Sequence, residues 1–143
     1  AATKIAIIAI TQVRDNFNSR FGGTHYPGGR TLQHENSLEL KLNKIDDLTK
    51  VNGTENVIGQ LVEIEIKRSM VSLSRQSILI PFYYSSGWAN MESIVLQAIR
   101  NGSLSLNQGW IAYGDQKFRK AELVELMLTT ESIKKDIYNK VLK

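Results

Sequence analysis

The chain has 143 residues, 42% apolar and 22% charged, with a net charge of +4 and no cysteine. That length suits one ordinary domain, or a core with a small appendage, and the apolar content is enough to bury a core instead of leaving the chain disordered. The absence of cysteine excludes a disulfide scaffold, a thiolate metal site and a cysteine nucleophile. No apolar run approaches the roughly eighteen residues needed to span a bilayer, and the first residues lack the basic-then-apolar layout of a signal peptide. A reducing, cytoplasmic setting with no membrane partner is therefore expected.

The first predicted element is KIAIIAIT, residues 4–11. It is continuously apolar, rich in isoleucine and too short for a typical helix, the pattern of a strand covered on both faces. Such a strand needs neighbours and crossovers, yet few candidates follow it, so the chain reads as the later part of a larger sheet. The next stretch, to residue 34, holds paired glycines (Gly22-Gly23, Gly28-Gly29) and three arginines, with almost nothing to bury. Residues 1–34 carry Lys4, Arg14, Arg20 and Arg30 against Asp15, whereas residues 35–66 hold three lysines against seven acids. A basic, glycine-rich loop suits a phosphate or a nucleic acid, although a solvated surface loop has the same composition.

After the loop, SLELKLNK alternates cleanly, with Leu38, Leu40 and Leu42 against Glu39, Lys41 and Asn43; this predicts a half-exposed strand. Asn52-Gly53 centres a hairpin. GQLVEIEIKRS alternates again, with Val62, Ile64 and Ile66 inward. RQSILIPFYY is a further strand in which Pro81 argues for an edge position or a bulge. These three form an antiparallel meander expected to continue the sheet begun by residues 4–11. Past Ser85-Ser86-Gly87 the pattern becomes helical. Asn90 is a candidate cap, Ile94, Val95, Ala98 and Ile99 form an apolar face, and Gly102 ends the helix. GWIAYGDQKFR predicts a hairpin turning at Gly114-Asp115, and two short helices follow over 120–128 and 132–142. A boundary near residue 86 divides the chain into residues 1–86 and 87–143.

Several residues are suited to chemistry. Gln12 and Arg14 stand where the first strand ends, the place at which open α/β sheets collect ligands. A glutamine amide there can contact a phosphate oxygen, orient a water or simply bond the backbone. Phe17, Phe21 and Tyr26 offer stacking faces among Arg14, Arg20 and Arg30, the equipment of single-strand binding. Gly28 and Gly29 permit close backbone approach to phosphate. Lys67 and Arg68 end a strand and suit either solvent, a neighbouring subunit or a phosphate. His25 and His34 lack metal-ligand spacing, so no metal site is expected. Neither a Ser-His-Asp ordering, an HExxH nor a GxxxxGK[ST] phosphate loop can be read in the sequence.

IAIIAITQVRDNFNSRFGG resembles the core strand of the RecA-type strand-exchange recombinases, which ends in an N/T-Q-x-R signature and enters their second DNA-binding loop. YPGGRTLQHENSLELKL is similar to the archaeal and eukaryotic form of the family, and GWIAYGDQKF to the bacterial C-terminal region. That mixture leans towards a phage or divergent bacterial member. The resemblance implies the C-terminal part of a RecA-like P-loop NTPase core, a mixed but mostly antiparallel sheet over 1–86, followed by a small α/β appendage over 87–143. It implies a DNA-dependent ATPase that uses ATP and Mg²⁺, forms homo-oligomeric filaments on single-stranded DNA and promotes homologous pairing.

Residue by residue, the resemblance makes Gln12 and His34 phosphate-sensing. It makes Arg14, Asn16, Phe17, Asn18, Arg20, Phe21, Gly28, Gly29 and Arg30, within a loop over 14–31, DNA-binding. Lys67 matches the first of two bacterial lysines that reach ATP on the neighbouring subunit, with Arg68 beside it; Ser69 replaces the second. The family's Walker motifs precede this region and are not in the sequence, so the catalytic set is incomplete and neither ATP turnover nor tight nucleotide binding is expected of this chain alone. The rival readings are a RecA-fold helicase or mediator, and a non-catalytic protein that binds DNA or a recombinase filament.

Overall fold

A computed structural model describes residues 6–15, 24–25, 35–51, 55–71 and 75–141. Within them the chain is α/β, with three antiparallel sheets and three helices. Two short strands, β1 (Arg14–Asp15) and β2 (Thr24–His25), pair with each other. A four-stranded sheet runs in the order β3 (Leu38–Val51), β4 (Glu55–Ser69), β5 (Ser77–Tyr83), β6 (Gly87–Trp88). Helix α1 (Asn90–Arg100) follows, then a three-stranded sheet of β7 (Ser105–Asn107), β8 (Trp110–Tyr113) and β9 (Gln116–Phe118), and finally α2 (Lys120–Thr129) and α3 (Glu131–Val141).

The meander forms as the alternation demands. Val51 pairs with Glu55, and Val62 lies opposite Ile80 on β5; the turn expected at Asn52-Gly53 lies outside the described residues. Both strands of the first hairpin run longer than their alternating cores, because each added residue gains a ladder partner. Register shifts interrupt β3 at Glu39/Leu40, Lys44/Asp46 and Leu48/Thr49. Bulges and the lysines at 41 and 44 on this outer strand discourage edge-to-edge pairing. Pro81 sits on a strand that pairs with β4 throughout but with β6 only at Phe82 and Tyr83. Its carbonyl accepts the backbone N–H of Ala89 at 2.9 Å. A proline is tolerated here because one side of the strand is almost free of ladder bonds.

Three expectations are corrected. Residues 6–13 form no strand, and Ile7, Ile8 and Ile10 are 87%, 88% and 93% exposed. A buried strand is a property of its neighbours, and no described residue pairs with this segment, so the sheet is antiparallel throughout the described residues and not mixed. Second, of Val62, Ile64 and Ile66, all expected inward, only Val62 is buried, and beside them Leu38, Leu40 and Leu42 of β3 are about half exposed. With Ile64, Ile66 and Ile78, their cross-strand neighbours on the same face, they make an apolar face that no described element covers. Near β6 this face dips into a shallow concavity of ≈ 250 Å³ lined by Leu42, Lys44, Gln60, Val62, Phe82 and Trp88. Third, Asn90 is the first helical residue of α1 and not its cap; Ala89 holds that position without a side-chain bond.

The opposite face of β5 receives α1. The rest of the apolar face of α1 turns away from the sheet, where Ile94, Val95 and Ala98 meet Leu104, Ile111, Leu123, Met127 and Ile137 in one buried cluster. Gly102, at φ +79° just beyond the last helical turn, ends α1 in the left-handed conformation that glycine adopts without strain. The turn at Gly114-Asp115 joins β8 to β9 as expected, and β7 adds a strand that the short, polar SLN triplet did not announce. Arg119 covers the ring of Trp110 at 4.1 Å, and its backbone N–H donates to Glu122 Oε2 at 2.8 Å, which holds the entry to α2.

Candidate functional site

The glycine-rich stretch leaves the exposed segment 6–12 at Gln12 and Arg14. Gln12 is exposed and carries no strand pairing, so its amide is free to meet a partner from outside the described residues. Arg14 begins β1, and its register partner is His25, with Asp15 opposite Thr24. Arg14 is exposed beside this antiparallel pair. Of the residues expected to bind DNA or sense phosphate, Asn16, Phe17, Asn18, Arg20, Phe21, Gly28, Gly29, Arg30 and His34 lie outside the described residues.

Lys67 and Arg68 lie at the end of β4, beside the start of β3, with Glu39 as the register partner of Arg68. The ammonium of Lys67 is 2.8 Å from Glu65 Oε1 on the same strand, and the side chain is partly exposed. An exposed pair of this kind contributes about 0–1 kcal/mol. Gln12 and Lys67 lie on separate elements, one on the segment before β1 and the other at the end of β4. No group of three or more potential metal ligands occurs among the described residues, and none of the described helices is long and apolar enough to cross a membrane.

Two clusters were not legible in the sequence. Phe82, Tyr84 and Trp88 gather at the β5–β6 turn, with Phe82 and Trp88 centroids 4.9 Å apart and Tyr84 edge-on to Phe82 at 6.3 Å. The Gln60 amide donates to the Tyr84 hydroxyl at 2.9 Å, tying this cluster to β4. The i, i+2 spacing of Phe82 and Tyr84 was the available signal. In the second cluster, the Tyr83 hydroxyl donates to both carboxylate oxygens of Glu92, at 3.0 and 3.2 Å, and Lys120 lies 3.0 Å from Glu92 Oε2. Burial, and then the hydrogen bond to Glu92, push the Tyr83 phenol up to about 12 from its ordinary 10.0. The folded state thus holds this proton more tightly than the unfolded chain does. The stabilisation is complete below pH 10 and is lost as pH rises from 10 to about 12. Urea unfolding at pH 9 and pH 11.5 should show a loss of stability in the wild type that is smaller in Tyr83→Phe; equal losses would exclude Tyr83 as its source.

Comparison with known proteins places this geometry in context. No family model matches the chain. RecA of Borreliella burgdorferi (strain ZS7) is 26% identical over 112 residues, covering 78% of this chain and 31% of the RecA. RecA of Mycoplasma mobile is 24% identical over 143 residues, 98% of this chain and 42% of the relative. RecA of Clostridium acetobutylicum is 23% identical over 142 residues, 97% of this chain and 40% of the relative. The chain thus spans between a third and two fifths, roughly, of the curated relatives it matches. Across nearly its whole length the chain is similar to RecA, consistent with a C-terminal region of RecA.

Proposed function

We propose that this chain serves as the DNA-contacting C-terminal part of a RecA-like recombinase, a protein that assembles on single-stranded DNA and promotes homologous pairing with ATP and Mg²⁺. The observation that carries this reading is similarity to RecA in order over 98% of the chain. The pairing of Arg14 with His25 at the base of the basic loop supports it. In this reading Gln12 meets the terminal phosphate of a nucleotide held elsewhere, and the loop from Arg14 to Arg30 lies along the strand, with its aromatics stacking on bases and its arginines on phosphates. Lys67, with Arg68 beside it, reaches a nucleotide on a neighbouring subunit once it exchanges Glu65 for phosphate. His34 lies at the exit of the loop and shares the phosphate-sensing role. Residues 1–86 act as the end of the ATPase core and residues 87–143 as an appendage, in a cytoplasmic protein.

Catalysis in such a protein is mostly positioning and charge stabilisation of the transferred phosphoryl group. The residues of this chain contribute orientation and sensing: an amide at one end of the loop and cations along it. The nucleotide itself would be held by residues from outside the chain. The open apolar face of β3–β5 and the exposed isoleucines at 7, 8 and 10 fit this division, because a longer protein would have to bury them.

The test is binding of a fluorescent oligonucleotide. The chain should bind single-stranded DNA weakly, with an affinity that falls as salt rises because arginines displace counterions from phosphates. Replacing Arg14 and Phe21 together with alanine should weaken binding by about tenfold, a loss of one phosphate contact and one stacking contact. Equal binding by the double variant and the wild type would remove the loop from the interface. Inhibition of strand exchange when the chain is mixed with a full-length recombinase, without any oligonucleotide binding, would favour the filament-binding reading instead.

A further inference from the structure

The hydrophobic cluster of the C-terminal half draws every one of its members, buried or packed against it, from residues 91–141, and none from β3–β6. The junction between the sheet and this half is made differently. Along the seam of β5 and α1, the Ala89 N–H donates to the Pro81 carbonyl at 2.9 Å, the Ser93 hydroxyl to the Leu79 carbonyl at 2.8 Å, and Arg100 Nη1 to the Ser77 carbonyl at 3.3 Å. Buried Pro81 adds apolar contact beside these three hydrogen bonds. Polar seams between compact parts are the ones across which relative motion is expected.

Glu92 occupies a special place on that seam. It lies in the first turn of α1, where the helix dipole favours a negative charge. One carboxylate engages the hydroxyl of Tyr83 on β5 and the ammonium of Lys120, the first residue of α2. A lysine at the start of a helix opposes the dipole and is disfavoured there unless an anion offsets it. The Glu92 side chain is 18% exposed, so these contacts are less screened than those of a surface pair. Three elements (a sheet strand and the starts of two helices) therefore converge on a single carboxylate.

We propose that Glu92 is a latch that fixes the orientation of the helical half against the sheet. It acts by position, through Tyr83 on one side and Lys120 on the other, and the inference is independent of the function proposed above. Releasing it should loosen the seam while leaving both the sheet and the cluster around Leu123 intact.

The experiment uses the whole chain, whose lack of cysteine permits clean double spin labelling. Cysteines introduced at the exposed positions Val57 on β4 and Leu128 on α2 report the distance between the two parts. Glu92→Gln preserves shape and removes the charge; Lys120→Met removes the other partner. In both backgrounds the distance distribution should broaden, and backbone amide exchange should rise several-fold at residues 87–93 and 120–123 but not at 95–99 or 133–137. An unchanged distribution in both variants, or a uniform rise in exchange across the chain, would overturn the proposal. A further check is a double-mutant cycle in which Tyr83→Phe and Lys120→Met couple in the wild type and become additive in Glu92→Gln. Additivity already in the wild type would likewise overturn it.

Discussion

Leu123→Ala should destabilise the chain by about 2–5 kcal/mol, the cost of a large-to-small change in a packed core. Leu123 is fully buried at the centre of the cluster that joins α1, the β7–β9 sheet, α2 and α3. Its side chain lies on the first turn of α2 and faces the other elements, so the space it leaves cannot close without moving several of them. Urea unfolding followed by near-ultraviolet dichroism, which reads Trp110 and Tyr113, should show the midpoint fall. Leu128→Ala, on the same helix and 68% exposed, is the matched control and should change little. A loss at position 123 no larger than at position 128 would mean that the cluster does not hold this half together. The chemistry is the same at both positions, and only the surroundings differ.

Gly59→Ala is the second large effect expected, and it acts through backbone. Gly59 on β4 pairs with Tyr83 on β5, and a methyl at its Cβ would collide with the carbonyl oxygen of Phe82 and stand 3.0 Å from the Tyr83 Cα. Both obstacles are main chain and cannot rotate away. The strands must separate, at a cost of about 1–3 kcal/mol typical of overpacking. The disturbance lies next to Tyr83 and to the aromatic group of Phe82, Tyr84 and Trp88. Amide exchange should therefore rise at residues 58–61 and 81–84 while the cluster around Leu123 keeps its protection. Wild-type exchange at residues 81–84 in the variant would show that the sheet accommodates the methyl without opening.

These two positions also show what kind of information the sequence carried. Leu123 could be assigned to a helix from its surroundings, because helical periodicity is written in neighbouring residues. The alternation of β3, β4 and β5, the stop at Gly102 and the turn at Gly114-Asp115 were legible for the same reason. Gly59 gave no such signal: it sits inside an alternating strand and its need for a missing side chain arises from residues 23 and 24 positions away. The candidate site divides in the same manner. Gln12, Arg14 and the basic loop were recognisable from composition and from their likeness to a recombinase signature. The pairing of Arg14 with His25 could only appear once the chain had turned back on itself.

The sequence by itself determined most of the local elements and the chain's likeness to RecA, since each depends on residue types at short spacing. The tertiary structure decided which faces those elements bury. KIAIIAIT has every local property of a central strand, yet residues 6–12 lie exposed, because a strand is stabilised by ladder bonds and packing that only neighbours can supply. The leucines of β3 alternate as an inner face should, yet α1 covers the other side of the sheet. Tyr83, Glu92 and Lys120 are each unremarkable polar residues in the sequence, separated by 9 and 28 positions. They become one junction only because β5, α1 and α2 meet at a point, and contact across such separations follows from packing and not from any local pattern.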